Sequence, residues 1–124
     1  QVETTLTSNK TVTPVLARHI ASDKQIEGYE IHLGQTTGPD CAKPFAETPK
    51  GPDGAVSASG LVTGTYLHGC FAADGFRSAF LQSLGAAPSG LNYDTLIEHT
   101  LNDWAAHLEL HIDVAAVLKL AGLE

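Results

Sequence analysis

The stretch Gly60-Leu-Val-Thr-Gly-Thr-Tyr-Leu-His68-Gly-Cys-Phe-Ala-Ala-Asp74 limits the possible fold more than any other part of the chain. A β-prone run ends in a histidine and a glycine, and an aspartate able to cap a helix follows at once. As a strand, the run puts Val62, Gly64, Tyr66 and His68 on one face and Leu61, Thr63, Thr65 and Leu67 on the other. His68 falls at the carboxyl end, the edge where open α/β sheets collect ligands and chemistry. An imidazole there suits proton transfer near neutral pH, and it equally suits a structural role closing the strand.

The segments before this run supply strands for it to pair with. Lys10–His19 is rich in β-branched residues, but Pro14 cannot donate to a ladder, which predicts an edge strand or a bend. His19 reads as a surface residue near the strand end, without a role. Ile26–Gly34 alternates, with Tyr29, Ile31 and Leu33 on one face and Gly28, Glu30, His32 and Gly34 on the other. Glu30 and His32 on a glycine-lined face mark either a place of close approach or an ordinary strand with a solvated polar face. Residues 35–53 carry four prolines and read as an exposed, mobile loop holding Cys41. Pro52-Asp53-Gly54 signals a turn, after which Ala55–Ser59 pairs with Leu61–Leu67 across Gly60. That hairpin places the His68 strand in an antiparallel pair.

Helical signals dominate after His68. Asp74 is placed to cap a helix carrying Phe76, Ala79, Phe80 and Leu84, with Gly85 as its stop. Pro88-Ser-Gly reads as a linker. Asn92 caps a second helix with Leu96, Ile97, Leu101, Trp104, Ala105 and Leu108 on one face, Trp104 being a core anchor. Asp113 caps a short third helix through Val114, Val117, Leu118 and Ala121, ended by Gly122. His99, Asp103, His107 and His111 recur every four residues, a spacing that can chelate zinc. They lie opposite the apolar face with nothing to complete an HExxH motif, so they read as a solvated stripe and no metal is expected.

A length of 124 residues predicts one domain, 1–124. A net charge of −7 argues against nucleic acid or an anionic membrane as partner. No apolar run reaches a membrane span and no signal peptide opens the chain, while two cysteines in unlike contexts suggest free thiols in a cytoplasmic setting. The chain has no methionine and opens in mid-pattern, which reads as a piece of a longer protein, with Leu123-Glu124 either native or a cloning scar.

Glu3-Thr-Thr, Gly28-Tyr-Glu-Ile-His-Leu-Gly34, Asp53-Gly54, Gly64-Thr-Tyr-Leu-His-Gly69 with Phe71 and Phe76-Arg77, and the closing Leu-Glu-Leu-His-Ile-Asp113 come in a familiar order. Across essentially the whole chain they resemble the C-terminal half of the glutamine amidotransferase domain of the cobyric acid synthase family. The sister family, cobyrinic acid a,c-diamide synthase, shares the scheme with less similar wording.

The resemblance implies the C-terminal half of a class I glutamine amidotransferase-like three-layer fold, with a mixed sheet, an antiparallel hairpin and two or three C-terminal helices. It implies a cysteine–histidine glutaminase whose ammonia serves ATP-dependent amidation of corrin carboxylates. His68 matches the family's catalytic histidine, with Glu30, His32 and Tyr66 as possible active-site neighbours. Cys70 stands where many class I enzymes carry a glutamate, leaving Glu30 or a main-chain carbonyl to orient His68. The nucleophile elbow has no counterpart here and is expected upstream of residue 1. The expected partners are glutamine, an N-terminal ATP-dependent synthase domain and the N-terminal half of the amidotransferase domain. No cofactor is expected in this piece, ATP and magnesium belonging to the parent enzyme. A non-catalytic amidotransferase-like binding domain is the alternative of another class.

Overall fold

The computed structural model describes residues 1–88 and 90–123. Ser89 of the expected linker and Glu124 of the possible cloning scar lie outside the described residues. The chain forms two compact units, Gln1–Gly90 and Leu91–Glu124.

The first unit is a five-stranded sheet with one helix. Strand β1 (Glu3–His19) pairs antiparallel with β2 (Gln25–Thr37), and the sheet runs in the order β4-β3-β1-β2-β7, where β3 is Ala46–Thr48, β4 is Gly51–Asp53 and β7 is Leu67–His68. A two-stranded ribbon of β5 (Ala55–Val56) and β6 (Thr63–Gly64) stands apart from it. Every pairing among the described residues is antiparallel, which corrects the expected mixed sheet. Short turns account for two of these pairings, β1 with β2 and β3 with β4, since neither leaves room for the crossover that parallel pairing needs.

Pro14 does not put β1 at the sheet edge. β3 pairs only with Arg18 and His19, so at Pro14 the strand has a neighbour on the β2 side alone, facing Tyr29, and no ladder bond is lost. The register slips between Leu6 and Thr11, where β1 is irregular. At the β1–β2 turn, Asp23 takes a left-handed φ of 57° and His19 N–H bonds the Lys24 carbonyl at 2.8 Å.

The segment 35–53, expected as a mobile loop, is folded structure. Phe45 and Ala46 are buried, β3 and β4 form a hairpin, and Thr48 Oγ donates to the Gly51 carbonyl across its turn at 2.9 Å. Its prolines sit where they remove no needed donor: Pro49 in the turn and Pro52 on the terminal strand β4.

The core lies on one face of the sheet. Ala17, Ile26 and Leu67 project from β1, β2 and β7 against Phe45, Cys70 and Phe76, the last from helix α1 (Asp74–Ser83). Asp74 is the helix's first residue and not its cap; its carboxylate instead accepts from Arg77 at 2.5 Å, and Ala73 stands at the cap position. Gly85, at φ 84°, ends the helix as expected. His19 is also part of this core, with 8 % exposure between Phe45 and Phe76, ring centroids 4.6 and 4.9 Å away. That corrects its reading as a surface residue: alternation along β1 places His19 on the same face as Ala17.

The second unit holds α2 (Tyr93–His111) and α3 (Val114–Leu120). Both caps are as expected, Asn92 Oδ1 accepting from Thr95 N–H at 2.8 Å and Asp113 Oδ1 from Ala116 N–H at 2.9 Å. Neither helix buries a residue, and Trp104, expected as a core anchor, is 62 % exposed. Two helices of this size have too little surface to enclose an indole.

Candidate active site

The β-prone run that ends in His68 is not one strand. It makes β6, breaks at Thr65–Tyr66, and resumes as β7, which pairs with β2 and not with residues 55–59. Asp53 sits at the break: its carboxylate accepts a bond from Thr65 Oγ and another from Tyr66 N–H, at 3.3 Å, which takes that N–H out of any ladder.

In β7, Leu67 lies opposite Glu30 and His68 opposite Tyr29. Leu67 therefore enters the core, and His68 projects from the other, exposed face of the last strand in the sheet. Gly28 allows the close pairing, since a Cβ there would lie 2.4 Å from the His68 carbonyl oxygen. Gly69, at φ 77°, then turns the chain toward the 3-10 turn Cys70–Ala72 and α1.

The His68 ring bonds through Nδ1 to the Tyr66 carbonyl at 2.9 Å. A carbonyl oxygen only accepts, so Nδ1 carries a proton, and in the neutral ring the free lone pair is on Nε2. The ring is thereby held in the tautomer a general base requires.

Tyr66 is itself held at several points. Its hydroxyl bonds Thr36 Oγ, and its ring stacks on His32 with centroids 4.4 Å apart. His32 Nδ1 donates to the Gly34 carbonyl at 2.6 Å, and Nε2 meets Glu30 Oε1 at 2.9 Å. Lys50 Nζ takes the other Glu30 oxygen at 3.0 Å. Hydrogen bonds from Lys50 and then His32 hold the Glu30 carboxyl below its usual range. The bond to Glu30 raises the affinity of His32 for a second proton. With a carbonyl on one nitrogen and a carboxylate on the other, His32 is drawn toward the imidazolium, which its stacking on Tyr66 also favours. These groups line a cavity of about 430 Å³ with Thr7, Thr48 and Asp53.

The structure thus brings Glu30, His32 and Tyr66 together and sets the His68 side chain on the opposite face of the sheet. Glu30 shares the Leu67 face of the sheet and bonds His32 and Lys50, whereas the His68 ring bonds a main-chain carbonyl. The polar face of β2 is the inner one, while Tyr29 and Leu33 are exposed, the reverse of a solvated polar face. Lys50, Asp53 and Thr36 belong to this network without having been singled out for a role; the Asp53-Gly54 turn was their only signal in the sequence.

Both cysteines are free thiols. Cys70 is buried, which pushes its thiol up from the usual range, and Cys41 is half-buried with Sγ 4.0 Å from the Thr36 carbonyl. In the helical stripe, the His107 and His111 rings stack at 4.2 Å, and among the described residues no three His, Cys, Asp or Glu side chains converge on a metal-sized gap. Among them too, no helix is long and apolar enough to cross a membrane.

Comparison with known proteins gives a consistent picture. The profile of the CobB/CobQ-like glutamine amidotransferase domain matches residues 1–76. A cobyric acid synthase of Cereibacter sphaeroides is 58% identical over 97% of this chain and 25% of its own length. Those of Mesorhizobium japonicum and Bradyrhizobium diazoefficiens are 50% and 45% identical over 97% of the chain, which covers 24% and 25% of their lengths. The chain spans about a quarter of the length of the curated relatives it matches.

Proposed function

Because the chain belongs to the CobB/CobQ-like glutamine amidotransferase family, we propose that it supplies the histidine base of a glutaminase site, with His68 in that role. The observation that carries this is the Nδ1 bond to the Tyr66 carbonyl, which leaves Nε2 basic on the exposed face of the terminal strand. In the mechanism, Nε2 takes the proton of a cysteine thiol and the thiolate attacks the side-chain amide carbon of glutamine. The proton then passes to the departing nitrogen, releasing ammonia and leaving a thioester. Nε2 next deprotonates a water that attacks the thioester, freeing glutamate and returning the proton to the thiol.

The nucleophile belongs to another part of the enzyme. Burial keeps Cys70 a neutral thiol, and Cys41 is paired with the Thr36 carbonyl instead of a base. We place this chain as the C-terminal part of the amidotransferase domain of a cytoplasmic cobyric acid synthase. Ammonia made there serves an N-terminal ATP-dependent domain that amidates corrin carboxylates. The names of the relatives and their fourfold greater length support that placement. The exposed face of the sheet supports it as well: Val12, Leu16, Tyr29 and Leu33 surround His68's side of the sheet and suit packing by the N-terminal half of the domain. ATP and magnesium are assigned to the synthase domain.

His68→Asn in the full-length protein tests the reading. Glutamine-dependent amidation is expected to fall at least ~100-fold, while free ammonia still supports synthesis and thermal unfolding is nearly unchanged. Near-normal glutamine-dependent turnover would remove His68 from the mechanism.

A further inference from the structure

Resting on His68 as the base, we propose that Asp53 is its positioning residue, acting through the Tyr66 main chain and never touching the imidazole. A general base needs a partner that fixes its ring, and the partner here is a carbonyl. That carbonyl is poorly held by the sheet: β7 is two residues long, and Tyr66 precedes it in the break between β6 and β7. Its one ladder-like bond, from Ile31 N–H, is 3.5 Å long.

Asp53 makes good the deficit. Its Oδ2 accepts from both Thr65 Oγ and Tyr66 N–H, and Thr65 Oγ in turn accepts from Leu67 N–H at 3.1 Å. A carboxylate bonded to main-chain donors is a strong, directional anchor. The anchor has a rigid base: Asp53 ends β4 opposite Ala46, and its own carbonyl accepts from Phe45 N–H at 2.9 Å. Gly54 follows at φ 79°, with no room for a Cβ, which would lie 2.3 Å from the Gly64 oxygen. The hairpin and the β5–β6 ribbon therefore meet at the point where Asp53 reaches Tyr66. Without the carboxylate, Thr65 and Tyr66 lose their shared acceptor and the Tyr66 carbonyl is free to swing from Nδ1. His68 can then carry its proton on Nε2, the tautomer unable to accept one from a thiol.

The test uses the full-length protein with Asp53→Ala, Asp53→Asn and His68→Asn. Asp53→Ala is expected to lower kcat for glutamine hydrolysis about 10–100-fold, the scale of a slightly misplaced catalytic group, with KM for glutamine and ammonia-dependent synthesis unchanged. Nitrogen-15 NMR of the His68 ring should show proton density moving from Nδ1 to Nε2. Asp53→Asn keeps an oxygen for Tyr66 N–H and should restore most of kcat. If Asp53→Ala does not fold, Thr65→Val decides, because it removes one of the two donors to Asp53 and leaves the hairpin intact. A several-fold fall in kcat is expected there, and wild-type kcat would overturn the proposal. Wild-type kcat and an unshifted tautomer in a folded Asp53→Ala would overturn it too. Glutaminase activity surviving in His68→Asn would instead overturn the assignment of the base.

Discussion

At the scale of residues, two inward-facing histidines of one sheet respond to pH in opposite senses. His32 has its pKa raised by the bond to Glu30, so its contribution to stability is complete below 6.5 and is lost as pH rises through the folded value. Burial lowers the pKa of His19, so its contribution is complete above 6.5 and is lost as pH falls through the folded value. Nδ1 of His19 accepts from Ser22 N–H at 3.2 Å, which agrees with a neutral ring. Glu30, lowered from 4.5, adds a loss only in more acid solution. Urea unfolding against pH should therefore show greatest stability near pH 6.5. His32→Phe keeps the stack on Tyr66 and should abolish the decline on the alkaline side, about 0.5–1 kcal/mol for so open a pair. An unchanged alkaline limb would show that His32 is not the titrating group.

At the scale of elements, the position of His68 depends on a glycine in the neighbouring strand. Gly28→Ala drives a Cβ against the His68 carbonyl, a main-chain atom that yields only if β7 moves. Overpacking of this kind should cost about 1–3 kcal/mol, read as a lower Tm, and should weaken glutamine hydrolysis more than ammonia-dependent synthesis. A wild-type Tm would mean that the edge strand shifts freely. The helices were readable in order, and so were two of the three caps, because Asn92 and Asp113 act through bonds to residues three positions on, while Asp74 proved to be the first residue of its helix. The hairpin in 46–53 was hidden, because three-residue strands interrupted by prolines lack the alternation that marks longer ones. Burial of Phe45 and Ala46 holds them, and that depends on partners far along the chain.

At the scale of the whole molecule, the proposed division of the catalytic pair predicts that this chain alone hydrolyses no glutamine. Ammonia release by the purified chain should match the uncatalysed rate. Turnover lost in a Cys41→Ser, Cys70→Ser double variant would identify one of those thiols as a nucleophile. The sequence by itself determined the mixture of strand and helix and the caps at Asn92 and Asp113, because each is set by neighbours a few residues apart; His68 as a candidate base came with the resemblance to a family, and its partner strand did not follow from the sequence. Only the tertiary structure decided which face of β2 turns inward, and it placed Glu30 and His32 across the sheet from His68. The bond from Asp53 to Tyr66 is likewise tertiary, since it joins groups 13 positions apart. Alternation says that two faces differ, but long-range packing decides which of them is buried, and with it which groups can reach one another.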